Sequence, residues 1–219
     1  MVLVALESST RSPSVAVLVE GEILEQNLDG ERPHASDLLP CLAALLSSCG
    51  RTPREVVAVA VGIGPGSYTG LRVGIATAQG IARAAGAKLL GIPSGEALAH
   101  AELSPGERGD LVIDARGGSL YHARFHRTSD GVETLIAPRI VPVDALSDLL
   151  DEATIVFLDE ALESSVGTRD EQRLVVGASP RARSLLELAS QRLEEGTSEA
   201  LSSVLPLYLR PFEGRVRKR

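Results

Sequence analysis

The segment VVAVAVG (residues 56–62) runs straight into IGPGSYTG (residues 63–70) and then into LRVGIATAQG (residues 71–80). This succession constrains the fold more than any other part of the chain. A short run of Val alternating with Ala, with no polar residue, is a strand buried on both faces. Pro65-Gly66 makes a tight turn, and Ser67 or Thr69 is placed to cap the first amides of a helix. A buried strand feeding a helix through a glycine turn belongs to an α/β fold with helices covering the sheet.

A glycine-rich turn before a helix raises the question of a phosphate site. A phosphate loop needs Lys and then Ser or Thr after its last glycine, because the ammonium and the hydroxyl reach phosphate and metal. Here Gly70 precedes Leu71 and Arg72, and the stretch contains no Lys. The dinucleotide fingerprint fails as well, since Gly62, Gly64 and Gly66 are evenly spaced and Gly70 follows four later. Within the helix, Gly70 and Gly74 are four apart, as are Ala76 and Gly80, and Ala78 and Ala82. Each interior glycine costs a helix about 0.5–1 kcal/mol relative to Ala. Several together predict close packing against a sheet or another chain; a ligand role, alone or with packing, stays open.

Around this unit the pattern predicts strands at 2–6, 14–20 and 23–28, a helix at 35–49, a strand at 87–92 and a helix at 94–101. Leu38, Leu42 and Leu45 recur at helical spacing, Leu39 and Leu46 widen the stripe, and Pro40 is tolerable only near the helix start. SPGERG (residues 104–109) is the best boundary and divides the chain into 1–103 and 104–219. Beyond it the pattern predicts strands at 111–115, 119–126 and 155–158, an apolar-rich segment at 134–142, a short helix at 143–150, an edge strand at 174–176 and an amphipathic helix at 182–194. No internal repeat is visible, although the strand-first layout recurs.

The chain has 219 residues, a net charge of −7 and 44% apolar residues, which fits a folded domain rather than a disordered one. No apolar run approaches the ~18 residues of a membrane span. The start resembles mature sequence rather than a signal peptide, so a cytoplasmic location is expected. Cys41 and Cys49 read as reduced thiols. The acidic balance weakens an independent nucleic-acid binder. The basic stretch 210–219 is either a solvated terminus or a contact for RNA or an acidic partner. His122 and His126 fall on a strand, roughly 13 Å apart, too far to share a metal with ~2 Å bonds, and predict a polar sheet face. His34 reads as surface, a cap or a partner contact, and His100 as surface. Asp114, Arg116, Gly117 and Gly118 form a strand-end turn that is either structural or a vestigial nucleotide contact. Ser8, Ser9 and Ser67 have no histidine convincingly placed to make a triad.

The core GPGSYTGLR (residues 64–72), with LVALESS (residues 3–9), HASDLLP (34–40), IPSGEAL (92–98), IDAR (113–116) and PLYLRP (206–211), resembles the bacterial TsaB (YeaZ) family of tRNA threonylcarbamoyladenosine biosynthesis proteins. The similarity covers essentially the whole chain. It implies the actin/Hsp70/sugar-kinase fold: two ribonuclease-H-like lobes, the first over 1–103 and a reduced second over 104–219. It also implies a non-catalytic subunit that pairs with the catalytic paralogue TsaD, is joined by TsaE, and supports threonylcarbamoyl transfer from threonylcarbamoyl-AMP to N6 of adenosine 37. The pairing surface would be first-lobe helices carrying Leu38, Leu42, Leu45, Gly70, Gly74 and Ile75, and the same surface would form a homodimer when the chain is alone. Leu42→Glu and Gly74→Leu are then expected to weaken both associations without unfolding. The tRNA is contacted through the complex, and no cofactor belongs to the chain itself; ATP and magnesium would belong to the assembly.

Glu7 departs from the family, whose members commonly carry Asp there. If Glu7 and Asp114, with Gly117 and Gly118, jointly held a magnesium nucleotide, the chain would instead be a stand-alone small-molecule kinase or ATPase of the same fold. The absence of a glycine in SSTRSPS (residues 8–14) argues against a phosphate cradle there.

Overall fold

A computed structural model of the chain describes residues 1–28, 37–145, 155–165, 173–196 and 200–209. Strands β1 (Val2–Glu7), β2 (Ser14–Val19), β3 (Glu22–Asn27), β4 (Val56–Gly62) and β5 (Lys88–Ile92) form one sheet in the order β3-β2-β1-β4-β5. β1 runs antiparallel to β2 and parallel to β4, and β4 runs parallel to β5. The helices are α1 (Leu38–Ser48), α2 (Tyr68–Ala85) and α3 (Ser94–Glu102).

The strand alternation accounts for the sheet's two covered faces. Val2, Val4 and Leu6 of β1, Val15 and Val17 of β2, and Val59 and Val61 of β4 join Leu38, Leu42, Leu46, Ile75 and Ala78 in one core. Leu3, Ala5, Ala16, Ala58 and Ala60 point the other way, onto Leu185, Leu186 and Leu188 of α4 (Ala182–Glu194). The small Ala residues of β4 therefore face a leucine-rich helix, and its larger Val residues face α1 and α2. Such complementary volumes let both layers pack without voids.

A second sheet contains β6 (Arg108–Asp114), β7 (Ser119–Arg127), β8 (Val132–Pro142), β9 (Ile155–Leu158) and β10 (Arg173–Val176) in the order β10-β9-β6-β7-β8. β6 is antiparallel to β7 and parallel to β9, and β9 is parallel to β10. Read from its first strand, this repeats the order and the strand directions of the first sheet. Both lobes are ribonuclease-H-like, and the α/β fold is the two-lobed one expected.

The helices do not respect the division at 103/104. α3 precedes it but packs Leu98 and Ala99 onto Leu111, Phe125 and Phe157 of the second sheet. Gly95 sits so close to that sheet that a Cβ would lie 2.8 Å from Leu111 Cδ2 and 2.9 Å from Phe125 Cζ. α4 follows the second sheet yet covers the first, where Ser14 Oγ accepts the Ala182 amide at 2.9 Å and Arg181 Nη1 donates to Asn27 Oδ1 at 2.8 Å. Arg192 of α4 and Glu96 of α3 then tie the two helices together at 2.5 Å. The two sheets use residues 2–92 and 108–176, and α3 and α4 each pack on the sheet that the other end of the chain supplies.

The edge strand expected at 174–176 is β10. Of the short helix expected at 143–150, only Val143–Ala145 is described, as one tight 3-10 turn. His34 and the basic stretch 210–219 lie outside the described residues.

Candidate functional site

Four glycines of the opening motif converge on the end of β1. A Cβ added at Gly62 would lie 2.1 Å from Glu7 Oε2, one at Gly66 2.2 Å from the Ser9 carbonyl oxygen, one at Gly70 2.1 Å from the Ser8 carbonyl oxygen, and one at Gly74 2.2 Å from Ser8 Oγ. Hydrogen bonds complete the fit. Ser8 Oγ donates to the Gly70 carbonyl at 2.9 Å, and the Ser67 amide donates to the Ser9 carbonyl at 2.7 Å. Ser67 Oγ accepts the Gly70 amide at 3.2 Å as the helix cap. The glycines make room for the backbone and short side chains of residues 7–9. Gly70, Gly74 and Ile75 are buried, facing this segment and the core rather than an open surface.

Glu7 is enclosed by this arrangement and has no exposed surface. Its Oε1 accepts the Ser9 amide at 2.6 Å, while Oε2 has no hydrogen-bond partner among the described residues. Burial pushes the carboxyl above its ordinary value of 4.5, and hydrogen bonds from Ser9, with smaller help from Ser94 and Ser8, offset only part of that. The folded chain therefore holds this proton at a pH where the unfolded chain has lost it. The associated stability is complete below pH 4.5 and is lost as pH rises through the raised folded value. Glu7→Gln, which mimics the protonated form, is expected to remove that loss. Melting temperatures of parent and variant from about pH 4 to about pH 8 should diverge in the variant's favour on the alkaline side; parallel curves would show that Glu7 does not titrate in this way.

Between the sheets lies a cleft of about 930 Å³, with Ser9, Arg11, Ser67, Tyr68, Asp114 and Arg116 on its walls. Asp114 is committed to its own turn. Its Oδ1 accepts the Arg116 amide at 2.7 Å, and its Oδ2 lies 3.2 Å from Arg116 Nη1. Arg116, Gly117 and Gly118 all take positive φ, which two glycines make accessible. Glu7 does not line the cleft. The structure brings Asp114, Gly117 and Gly118 into one turn but places Glu7 apart from them, sealed behind the glycine motif.

On α1 the leucines divide sharply. Leu38 is 0% and Leu42 1% exposed, and Leu46 completes their face, all in the core beneath the helix. Leu45 is partly buried against the same core, whereas Leu39 is 50% exposed. The expectation that Leu38 and Leu42 offer side chains to a partner is thus corrected, because positions 38, 42 and 46 point at the sheet. The outer surface of α1 carries Leu39, Pro40, Ala43, Ala44 and Ser47 instead, and that of α2 carries Thr69, Arg72, Ala76 and Gly80.

These features can be set beside known proteins. The family model described as TsaD: tRNA N6-adenosine threonylcarbamoyltransferase matches residues 28–164. The chain is 34% identical to the tRNA threonylcarbamoyladenosine biosynthesis protein TsaB of Haemophilus influenzae, covering 96% of this chain and 94% of that protein. It is 30% identical to the TsaB of Escherichia coli, covering 96% and 95%. The chain belongs to the TsaB family. YeaZ from Pseudomonas aeruginosa matches its structure with a TM-score of 0.82 at 29% identity, covering 95% of this chain and 99% of that one.

The GPGSYTGLR core has a neighbour that spacing cannot show. Residues 200–209 return from the far end of the chain and lie along α2. Gln79 Nε2 donates to the carbonyls of Leu201 and Val204 at 2.9 and 3.1 Å, and Val204 is buried in the first-lobe core. The Leu207 amide donates to the Ile63 carbonyl at 2.8 Å. Tyr208 stacks on Tyr68 with centroids 5.2 Å apart, and Arg72 donates to the Tyr68 hydroxyl at 2.8 Å. Two of the family-like segments, GPGSYTGLR and, through Tyr208, the described part of PLYLRP (residues 206–209), are therefore in direct contact.

The histidines also differ from expectation. His122 is not on an open polar face: it is buried, 2.7 Å from the fully buried Asp110, which also accepts Arg124 Nε at 3.0 and 3.1 Å. A polar strand pattern signals such a buried cluster only when its partner strand is known, here β6. His126 does face outward, 3.6 Å from Glu133. His100 is mostly buried rather than on the surface and lies 3.2 Å from Glu187. Burial, reinforced by Arg127, lowers its pKa against the opposing pull of Glu187.

Proposed function

We propose that this chain is the non-catalytic pairing subunit in tRNA N6-threonylcarbamoyladenosine formation at adenosine 37. It binds and supports TsaD, with TsaE, while TsaD transfers the threonylcarbamoyl group from threonylcarbamoyl-AMP. Any ATP and magnesium belong to the assembled complex, which works in the cytoplasm, and the chain alone is a homodimer through the same face.

One observation carries this reading. Gly62, Gly66, Gly70 and Gly74 each have an internal neighbour that excludes a side chain, but Gly80, in the middle of α2, has nothing among the described residues within 4 Å of where a Cβ would sit. A helix-interior glycine without an internal reason costs about 1 kcal/mol. With Ala76 on the same outer face, and Ala43, Ala44 and Ser47 exposed on α1, it leaves a shallow surface suited to close approach by other helices. The kinase alternative needs Glu7 and Asp114 to act together, and the enclosure of Glu7 removes that support.

Gly80→Arg places a long cation on this face without disturbing the core. It is expected to lower co-purification with TsaD at least tenfold and to reduce threonylcarbamoyladenosine in cellular tRNA correspondingly, with the melting temperature within about 2 °C of the parent. Undiminished TsaD binding would overturn the assignment of the face. Threonylcarbamoyl transfer by the chain without TsaD would overturn the non-catalytic role.

A further inference from the structure

α3 and α4 meet along a seam that ties the two lobes. α3 is seated on the second sheet through Leu98 and Ala99, while α4 covers the first through Leu185, Leu186 and Leu188. The apolar part of the seam is Ala97, packed with those three leucines and Ala189. Its polar part is two pairs, one turn apart on α3. Arg192 Nη2 meets Glu96 Oε1 at 2.5 Å, and His100 Nε2 lies 3.2 Å from Glu187 Oε2. Only the second pair contains a histidine, the side chain whose ordinary titration falls between about pH 5 and 8.

The surroundings of His100 suit the neutral ring. Its side chain is 9% exposed. With the proton on Nε2 it donates to Glu187 and leaves Nδ1 as a lone pair. Nδ1 is buried and has no hydrogen-bond partner among the described residues. A second proton must go on Nδ1, and a buried donor without an acceptor is costly. The charged neighbours divide. On α4, Glu187 attracts a cation but is 36% exposed and shared with Arg183, whose Nη1 lies 4.0 Å from it. On β7, Arg127 repels one. On β8, Glu133 is paired with His126 at 3.6 Å, and Arg139 stands opposite His122 in the ladder. On α3 itself, Glu96 is held by Arg192 and Glu102 is exposed. Burial and Arg127 outweigh Glu187, so His100 titrates below its ordinary value of 6.5.

We propose that the α3–α4 seam is an acid-sensitive latch between the lobes: the neutral His100–Glu187 pair holds α3 against α4, and a proton on Nδ1 loosens it. A released ring takes its proton at its ordinary value of 6.5, and the seated ring only at lower pH. The latch therefore has its full strength above pH 6.5 and loses it as pH falls from there through the lowered value. This is the opposite sense to Glu7, whose contribution is lost as pH rises. Both helices begin at the cleft between the sheets, which Ser94, Gly95 and Pro180 line, so a shift along the seam reaches its walls.

The test uses the full chain and two readouts. Amide hydrogen exchange is compared at about pH 7.5 and about pH 5.5 as protection factors, so that the intrinsic pH dependence cancels. Protection in α3 and α4 is expected to fall about threefold or more at the lower pH, while β1 and β4 stay unchanged. His100→Gln, whose amide still donates to Glu187 but does not titrate, is expected to abolish that fall. Seam protection independent of pH in the parent chain would overturn the latch, and so would an equal fall in parent and variant. The second readout is the titration of the His100 ring by NMR. It is expected below 6.5, and lower still in Glu187→Gln, where the attracting charge is gone. This readout decides the matter even if His100→Gln folds poorly. A ring that titrates at or above 6.5, or one that Glu187→Gln leaves unmoved, would overturn the proposal.

Discussion

Gly70→Ala, the smallest substitution available at that position, is expected to destabilise the chain by about 3 kcal/mol and lower its melting temperature by about 6–12 °C. Helix propensity alone predicts the opposite, a gain of about 1 kcal/mol. The sign is decided by the Ser8 carbonyl oxygen, 2.1 Å from where the new methyl group would sit. That atom is backbone in a buried segment, so relief requires α2 to move from the sheet and breaks the Ser8 Oγ to Gly70 carbonyl bond. Gly80→Ala is the matched control. With no described atom within 4 Å of its Cβ, it should follow propensity and stabilise the chain by about 0.5–1 kcal/mol. Thermal unfolding followed by circular dichroism reads both, and equal shifts in the two variants would refute the packing account. Gly74→Leu falls with Gly70→Ala, because its Cβ would lie 2.2 Å from Ser8 Oγ. It is a test of folding and not the test of association that the sequence implied.

The second large effect is at Leu42. Leu42→Glu is expected to cost about 5 kcal/mol or more, because it removes a buried leucine and leaves a carboxylate in a wholly apolar core. Leu42 is 1% exposed among Leu38, Leu46, Val4 and Val17. Since a domain is stable by only about 5–15 kcal/mol, most of the folded population is at risk. Leu39→Glu, three residues earlier and half exposed, should change stability by less than about 0.5 kcal/mol and yet weaken partner binding. Urea denaturation measures the stabilities and light scattering the association. A cooperative, parent-like urea transition for Leu42→Glu would contradict its place in the core.

Much of the fold was legible because it depends on local patterns. The VVAVAVG strand, the glycine turn and α2 follow from a run of β-branched residues, a turn dipeptide and a capping serine. The amphipathic helix at 182–194 is observed with those bounds. The repeat of strand order in the two sheets is not visible in the residue pattern and was expected only through the family resemblance, since topology is a matter of which strands pair and unrelated sequences satisfy the same pairing. The buried Asp110–His122–Arg124 cluster was hidden for a similar reason: each residue looks solvated until β6 and β7 are placed side by side in register.

By itself the sequence determined the succession of strands and helices, the α/β class, the identity of the motif that organises the first lobe and, through it, the family. Only the tertiary structure decided which way that motif faces. A helical stripe such as Leu38, Leu39, Leu42, Leu45 and Leu46 is wide enough to lie over a sheet in more than one rotation, and burial against the β2 side of the sheet selects 38, 42 and 46. A glycine records that a side chain is absent but not which atom occupies the space. Glu7, Ser8 and Ser9 lie more than fifty residues from Gly62 along the chain, and their contact with the motif exists only because β1 and β4 are neighbours in the sheet.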